Sequence, residues 1–179
     1  MLLKIEKWID SFSDVIGYIT AGLMFLTMIN VFYDAIMRYF FNTGSIALQE
    51  TEWHMFSIVF LLGISYTLKE DSHVRVDLVY DRLSQKARGA INILGTLFFL
   101  IPLAVLIIYG SLPFVEEAYI TNEISGDPGG LTHRWLIKGV IPLAFVSLLI
   151  TALGFVLRNY RVFRGDVKLK ERNPSDDII

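Results

Sequence analysis

Four uncharged stretches constrain this chain more than anything else in it. They are Val15–Tyr33, Trp53–Leu68, Gly89–Val115 and Gly139–Leu157, of 19, 16, 27 and 19 residues. A bilayer core about 30 Å thick takes roughly 20 apolar residues of helix to cross. Each stretch is near that length. The sequence therefore predicts an all-α integral membrane protein with four transmembrane helices, over about 15–41, 46–68, 87–116 and 136–159. Composition agrees: 19% of residues are charged and the mean hydropathy is +0.52, whereas soluble domains carry about 25% charged residues. Four spans with short connections fill residues 1–179 as a single membrane domain, with a cytoplasmic tail over 160–179. No room is left in them for a soluble catalytic domain.

Charge distribution predicts an orientation. With four spans, the N-terminus, the second connection and the C-terminus share one side. That side holds thirteen of the sixteen Lys and Arg residues, against three in the first and third connections. Short basic segments stay in the cytoplasm, so both termini are expected there. The basic tail suits anionic membrane lipids rather than nucleic acid. The first stretch is too long for a secretory signal core. It is followed by Asn30, Asp34 and Arg38 rather than a small-residue cleavage site, so it reads as an uncleaved span. Before it, Leu2, Ile5, Trp8, Ile9 and Phe12 fall on one helical face, with Lys4 and Lys7 opposite. This segment is either an interfacial amphipathic helix or the cytoplasmic end of a long first helix.

Polar residues mark the span ends. Asn30, Asp34 and Arg38 recur every four residues, which lets Asp34 and Arg38 pair on one helix face. At that depth ionisable groups face protein or water, or snorkel to the interface. Ser45 suits a helix N-cap. Glu50 and Glu52 then occupy first turns, where the positive end of the helix dipole favours acids. The third stretch is longer than a bilayer needs, and Pro102 within it should break the regular hydrogen bonding. The third connection contains Gly126-Asp-Pro-Gly-Gly130, a strong helix breaker.

Catalytic chemistry has little to stand on. There is no cysteine, which excludes disulfides, thiolate nucleophiles and cysteine-held clusters. There is no phosphate loop and no glycine-rich dinucleotide turn, and no Ser-His-acid set shares one membrane depth. His54 and His133 fall on the same side and could in principle ligate haem. Glu50 and His54 are four residues apart and so do not make the Glu-x-x-His spacing of di-iron bundles. We expect no enzyme activity, cofactor or metal. No stretch carries a central ionisable residue, although coupled carriers place polar groups or broken helices near the midplane. The chain thus reads as an accessory or scaffold subunit. The alternative is a haem- or quinone-binding anchor of a membrane oxidoreductase.

Three segments carry a family resemblance: Gln49-Glu-Thr-Glu-Trp-His54, Leu62-Gly-Ile-Ser-Tyr-Thr-Leu68 and His73-Val-Arg-Val-Asp-Leu78. Arg38-Tyr39, Arg134-Trp135 and Ile141-Pro-Leu143 fit the same pattern. The chain resembles the small membrane subunit of tripartite ATP-independent periplasmic (TRAP) transporters, from about Ile16 to Arg158. The resemblance implies a bacterial inner-membrane importer of three parts. A soluble periplasmic protein captures a small organic anion, and a large membrane subunit moves it inward, coupled to sodium. The small subunit scaffolds the large one and helps dock the soluble protein. On this resemblance Arg38, Glu50, Glu52, Trp53, the Gly126–Gly130 turn, Arg134 and Trp135 are candidate partner contacts outside. His73, Arg75 and Asp77 are expected to fix the cytoplasmic loop. Trp53 and Trp135 also fit as interfacial anchors.

Overall fold

The computed structural model describes residues 2–71 and 83–167. Their regular structure is entirely helical: α1 (Leu2–Phe40), α2 (Ile46–Lys69), α3 (Gln85–Ile120) and α4 (Trp135–Arg164). Every uncharged stretch lies inside one of them. Three helices, α1, α3 and α4, are long and apolar enough to cross a membrane. The second, α2, has 24 residues and includes Glu50, Glu52, His54 and Lys69, so its apolar part is shorter. His73, Arg75 and Asp77 lie outside the described residues.

Helix α1 is one unbroken helix of 39 residues, roughly 58 Å at 1.5 Å per residue. Of the two readings of the N-terminal segment, the structure takes the second: residues 2–14 are the end of a long first helix. Their apolar face is divided. Ile9 is buried, whereas Trp8 is 66% exposed and stacked on Phe12 at 6.3 Å. The buried stripe runs Glu6, Ile9, Ser13, Ile16, Thr20, Thr27, Asp34. Its polar members, Glu6, Ser13, Thr20, Thr27 and Asp34, recur every seven residues, the period that keeps one seam of a helix against its neighbours.

This helix is apolar outside and polar inside. Tyr18, Phe25 and Phe32 point outward. In hydrocarbon, large apolar side chains gain nothing by burial, while small ones let backbones approach closely. The inward hydroxyls are satisfied by their own helix: Thr20 Oγ1 donates to Gly17 O at 2.8 Å and Thr27 Oγ1 to Leu23 O at 2.8 Å.

Glycines make the closest approaches between helices. A Cβ on Gly89 of α3 would lie 3.0 Å from the Asn159 carbonyl oxygen of α4. One on Gly154 of α4 would lie 2.7 Å from Ile9. The apolar centre joins α2, α3 and α4 through Leu68, Ala104, Leu148 and Ala152. Around Pro102 the expected break takes a specific form. Thr96–Leu100 makes a π-helical turn, and the Ile101 N–H reaches back five residues to Thr96 O. Proline has no N–H for the carbonyl four residues before it, and its ring crowds that carbonyl; one wide turn absorbs both.

Candidate functional site

The bundle has a terminal end, with the start of α1 and the finish of α4, and a loop end, where α1 joins α2 and α3 joins α4. Most sequence-predicted site residues lie at the loop end. There Ser45 caps α2, its hydroxyl accepting from the Leu48 N–H. Asn30 Nδ2 donates to Leu48 O at 3.1 Å and so ties α1 to that cap. Arg38 pairs with Asp34. The Asp34 side chain faces protein and is only 3% exposed, while that of Arg38 is 51% exposed.

Glu50, in the first turns of α2, reaches across to the α3–α4 connection. One carboxylate oxygen accepts from the Ser125 hydroxyl. The other accepts from the Leu131 N–H at 2.6 Å. The connection also closes on itself. Ser125 N–H donates to Leu131 O at 2.9 Å, Gly130 N–H to Asp127 O at 3.0 Å, and Arg134 N–H to Glu123 O at 3.1 Å. Gly130 is packed so tightly that an added Cβ would sit 2.5 Å from Ser125 and 2.8 Å from the Glu50 carboxylate. Glu123 pairs with Lys138 and lies 3.7 Å from Arg134 Nε. The Lys138 ammonium also sits 3.8 Å from the centre of the Phe114 ring, a cation–π geometry.

The predicted residues therefore divide. The structure joins Glu50 to the Gly126–Gly130 turn and Arg134 to Glu123. It sets Trp135 edge-on against Tyr119, with ring centres 5.4 Å apart. Trp53 turns outward and is 70% exposed, and Glu52 is half-buried.

At the terminal end is a polar cluster that the sequence reading missed. Glu6 pairs with Arg161 at 2.6 Å and lies 3.8 Å from Arg158. Arg158 meets both oxygens of Asp10 at 3.3 Å and donates to Lys69 O at 3.1 Å. Lys69 pairs with Asp14. Asn92 Nδ2 donates to Asn159 Oδ1 at 2.7 Å, joining α3 to α4. The available signal was the four-residue spacing of Glu6, Asp10 and Asp14 on one helix, with Lys69, Arg158 and Arg161 on others.

Fold and site together define a helical membrane subunit whose polar groups hold its own helices and one loop together. The family model described as "Tripartite ATP-independent periplasmic transporters, DctQ component" matches residues 27–162. This chain belongs to that family of TRAP transporter small permease subunits. Two Haemophilus influenzae proteins named as TRAP transporter small permeases are similar to it. One is 26% identical over 159 residues, covering 89% of this chain and 92% of that protein. The other is 30% identical over 150 residues, covering 82% and 89%. The sialic acid TRAP transporter permease protein SiaT, also from Haemophilus influenzae, is 21% identical over 146 residues. That match covers 81% of this chain but 21% of SiaT.

Proposed function

We propose that this chain is the non-catalytic small permease subunit of a sodium-coupled TRAP importer of small organic anions. It crosses the inner membrane four times with both termini in the cytoplasm. It widens the scaffold of a large membrane subunit and helps dock a soluble periplasmic binding protein. The single observation that carries the scaffold role is the direction in which the helices face. Small and polar residues are spent inward, and large apolar faces are left open. Phe98, Phe99, Leu106 and Tyr109 of α3 are each at least 68% exposed. Only 11% of the most apolar part of α3 is buried within this chain. The similarity to a fifth of SiaT supports the partnership, since a unit of this kind there forms part of a much longer permease. The oxidoreductase-anchor alternative gains no support from these relatives.

Co-expression with the large subunit of the same transporter tests the assignment. A tag on this chain should retain that subunit in mild detergent; recovery of the chain alone would overturn the scaffold role. Reporter fusions at the C-terminus and at Pro128 should report cytoplasm and periplasm, and the reverse pattern would overturn the orientation. Uptake by the reconstituted three-part system should stop when sodium is replaced by potassium.

A further inference from the structure

We propose that Glu50 is a positioning residue: it fixes residues 121–134 as a preformed platform for the soluble binding protein, and is not itself the contact. This rests on the docking role proposed above.

The argument starts from length. The α1–α2 connection takes the five residues 41–45, whereas the α3–α4 connection takes the fourteen residues 121–134. Helices packed as neighbours need about 2–8 linking residues, and connections beyond about 12 are usually either functional or loose linkers. The longer connection is also heavily constrained. Asn122 and His133, near its two ends, hold left-handed backbone at φ 46° and 60°. At Asn122 this closes the C-terminus of α3, with the Glu123 N–H donating to Ala118 O at 3.0 Å, and at His133 it turns the chain into α4, with the Leu136 N–H donating to His133 O at 3.0 Å. Ser125 and Leu131 close the neck of the loop, and Glu50 clamps both at once. Gly130 fits under that clamp only because it lacks a side chain.

With both oxygens engaged inward, Glu50 has its strongest acceptor positions already filled. The surface that faces away is made by Ile124, 63% exposed, with exposed Asp127, Pro128, Thr132 and His133. Thr132 and His133 are joined side chain to side chain at 2.8 Å. Such a surface fits a folded soluble protein that offers a shallow apolar recess for Ile124, with hydrogen-bonding groups around it. A loop held in its bound shape loses less entropy on docking, which is how a residue outside the contact strengthens it.

The natural absence of cysteine makes Ile124→Cys a unique attachment point. In the assembled membrane complex, a nitroxide there reports loop mobility, and a photo-cross-linker there reports capture of the purified binding protein. Glu50→Ala and Gly130→Ala break the clamp from opposite sides. Each should sharpen the nitroxide spectrum and raise the half-saturating concentration of binding protein about tenfold, the scale expected from lost preorganisation. Glu50→Gln, which keeps an oxygen for the Leu131 N–H, should raise it less than about threefold. An unmoved half-saturation with a loosened loop would overturn the proposal. So would an unchanged spectrum, or loss of the large subunit from either alanine variant, which would make the clamp an assembly element. If the Ile124→Cys chain without these further substitutions captures no binding protein, the docking role itself falls.

Discussion

At the terminal end, helix is tied to helix. Glu6 and Asp10 of α1 grip Arg158 and Arg161 of α4, and Asp14 grips Lys69 of α2. At the loop end, the long-range carboxylate bonds tie a loop to a helix, as Glu50 holds Ser125 and Leu131. The same side-chain chemistry serves two purposes. Charge pairs between helices tie the elements of the bundle to one another. A carboxylate that accepts from a loop ties that loop to the start of α2.

The contrast breaks first, and with the largest effect, where α3 meets α4 near the terminal end. Gly89→Leu would push its side chain into the Asn159 carbonyl and the Phe163 backbone nitrogen, which lie 3.0 and 3.3 Å from a Cβ there. Backbone cannot turn aside as a side chain can. We expect a loss of about 3 kcal/mol, as overpacking typically costs, measured by unfolding in mixed detergent micelles. A stable Gly89→Leu variant would show that the terminal end is not a tight joint.

How much of this was legible in the sequence depends on the range of the interaction. The uncharged stretches marked the apolar parts of all four helices, and Ser45 marked the start of α2, because hydropathy and capping are local signals. The terminal cluster was not legible for a physical reason. Lys4 and Lys7 drew attention to charge as a sign of the interface. Glu6, between them, and Asp10, just beyond, face α4, about 150 residues away in sequence. The heptad stripe of α1 was not legible either, since Ser and Thr occur on any face of a membrane helix and only the packing shows that these share the buried one. Likewise Gly126–Gly130 read as a breaker cluster. That Glu50 pins it needed the fold, which closes 75 residues between Glu50 and Ser125.

A smaller effect should follow from Arg158→Ala. It leaves Asp10 without its partner and Lys69 O without a side-chain donor. Arg158 is about one-third exposed, so water recovers part of the loss. We expect about 1–2 kcal/mol, the usual range for a charged hydrogen bond in a partly wet setting. Asp10→Arg with Arg158→Asp should restore part of it, and a double exchange no better than either single change would deny the pairing.

Just inside the terminal cluster the effect shrinks again. Ser13 and Thr151 lie 2.9 Å apart, and each also has a carbonyl of its own helix in reach, Ile9 O at 3.0 Å and Ser147 O at 3.2 Å. Two hydroxyl protons serve three possible bonds, so one of the three is always unmade. Ser13→Ala leaves Thr151 with Ser147 O, and Thr151→Ala leaves Ser13 with Ile9 O. Each should cost about 0.6 kcal/mol, the mean for such bonds between membrane helices. A cost several times larger would mean that the hydroxyl pair is a structural lock.

The smallest effect on the bundle is expected at the loop end, and it sharpens the comparison most. Glu50→Ala removes the acceptor for two hydrogen bonds, one of them a 2.6 Å contact to a backbone N–H. A simple count of contacts would rank it near Arg158→Ala. The two changes differ in what they release. Loss of Arg158 frees one helix from two others. Loss of Glu50 frees a connection whose ends stay anchored by α3 and α4, and local opening of that kind draws little on global stability. The unfolding midpoint of Glu50→Ala should therefore match that of the unsubstituted protein, while proteolysis within residues 121–134 becomes faster. A midpoint that falls as far as it does in Arg158→Ala would mean that the loop is part of what holds the bundle together, and the division between the two ends would fail.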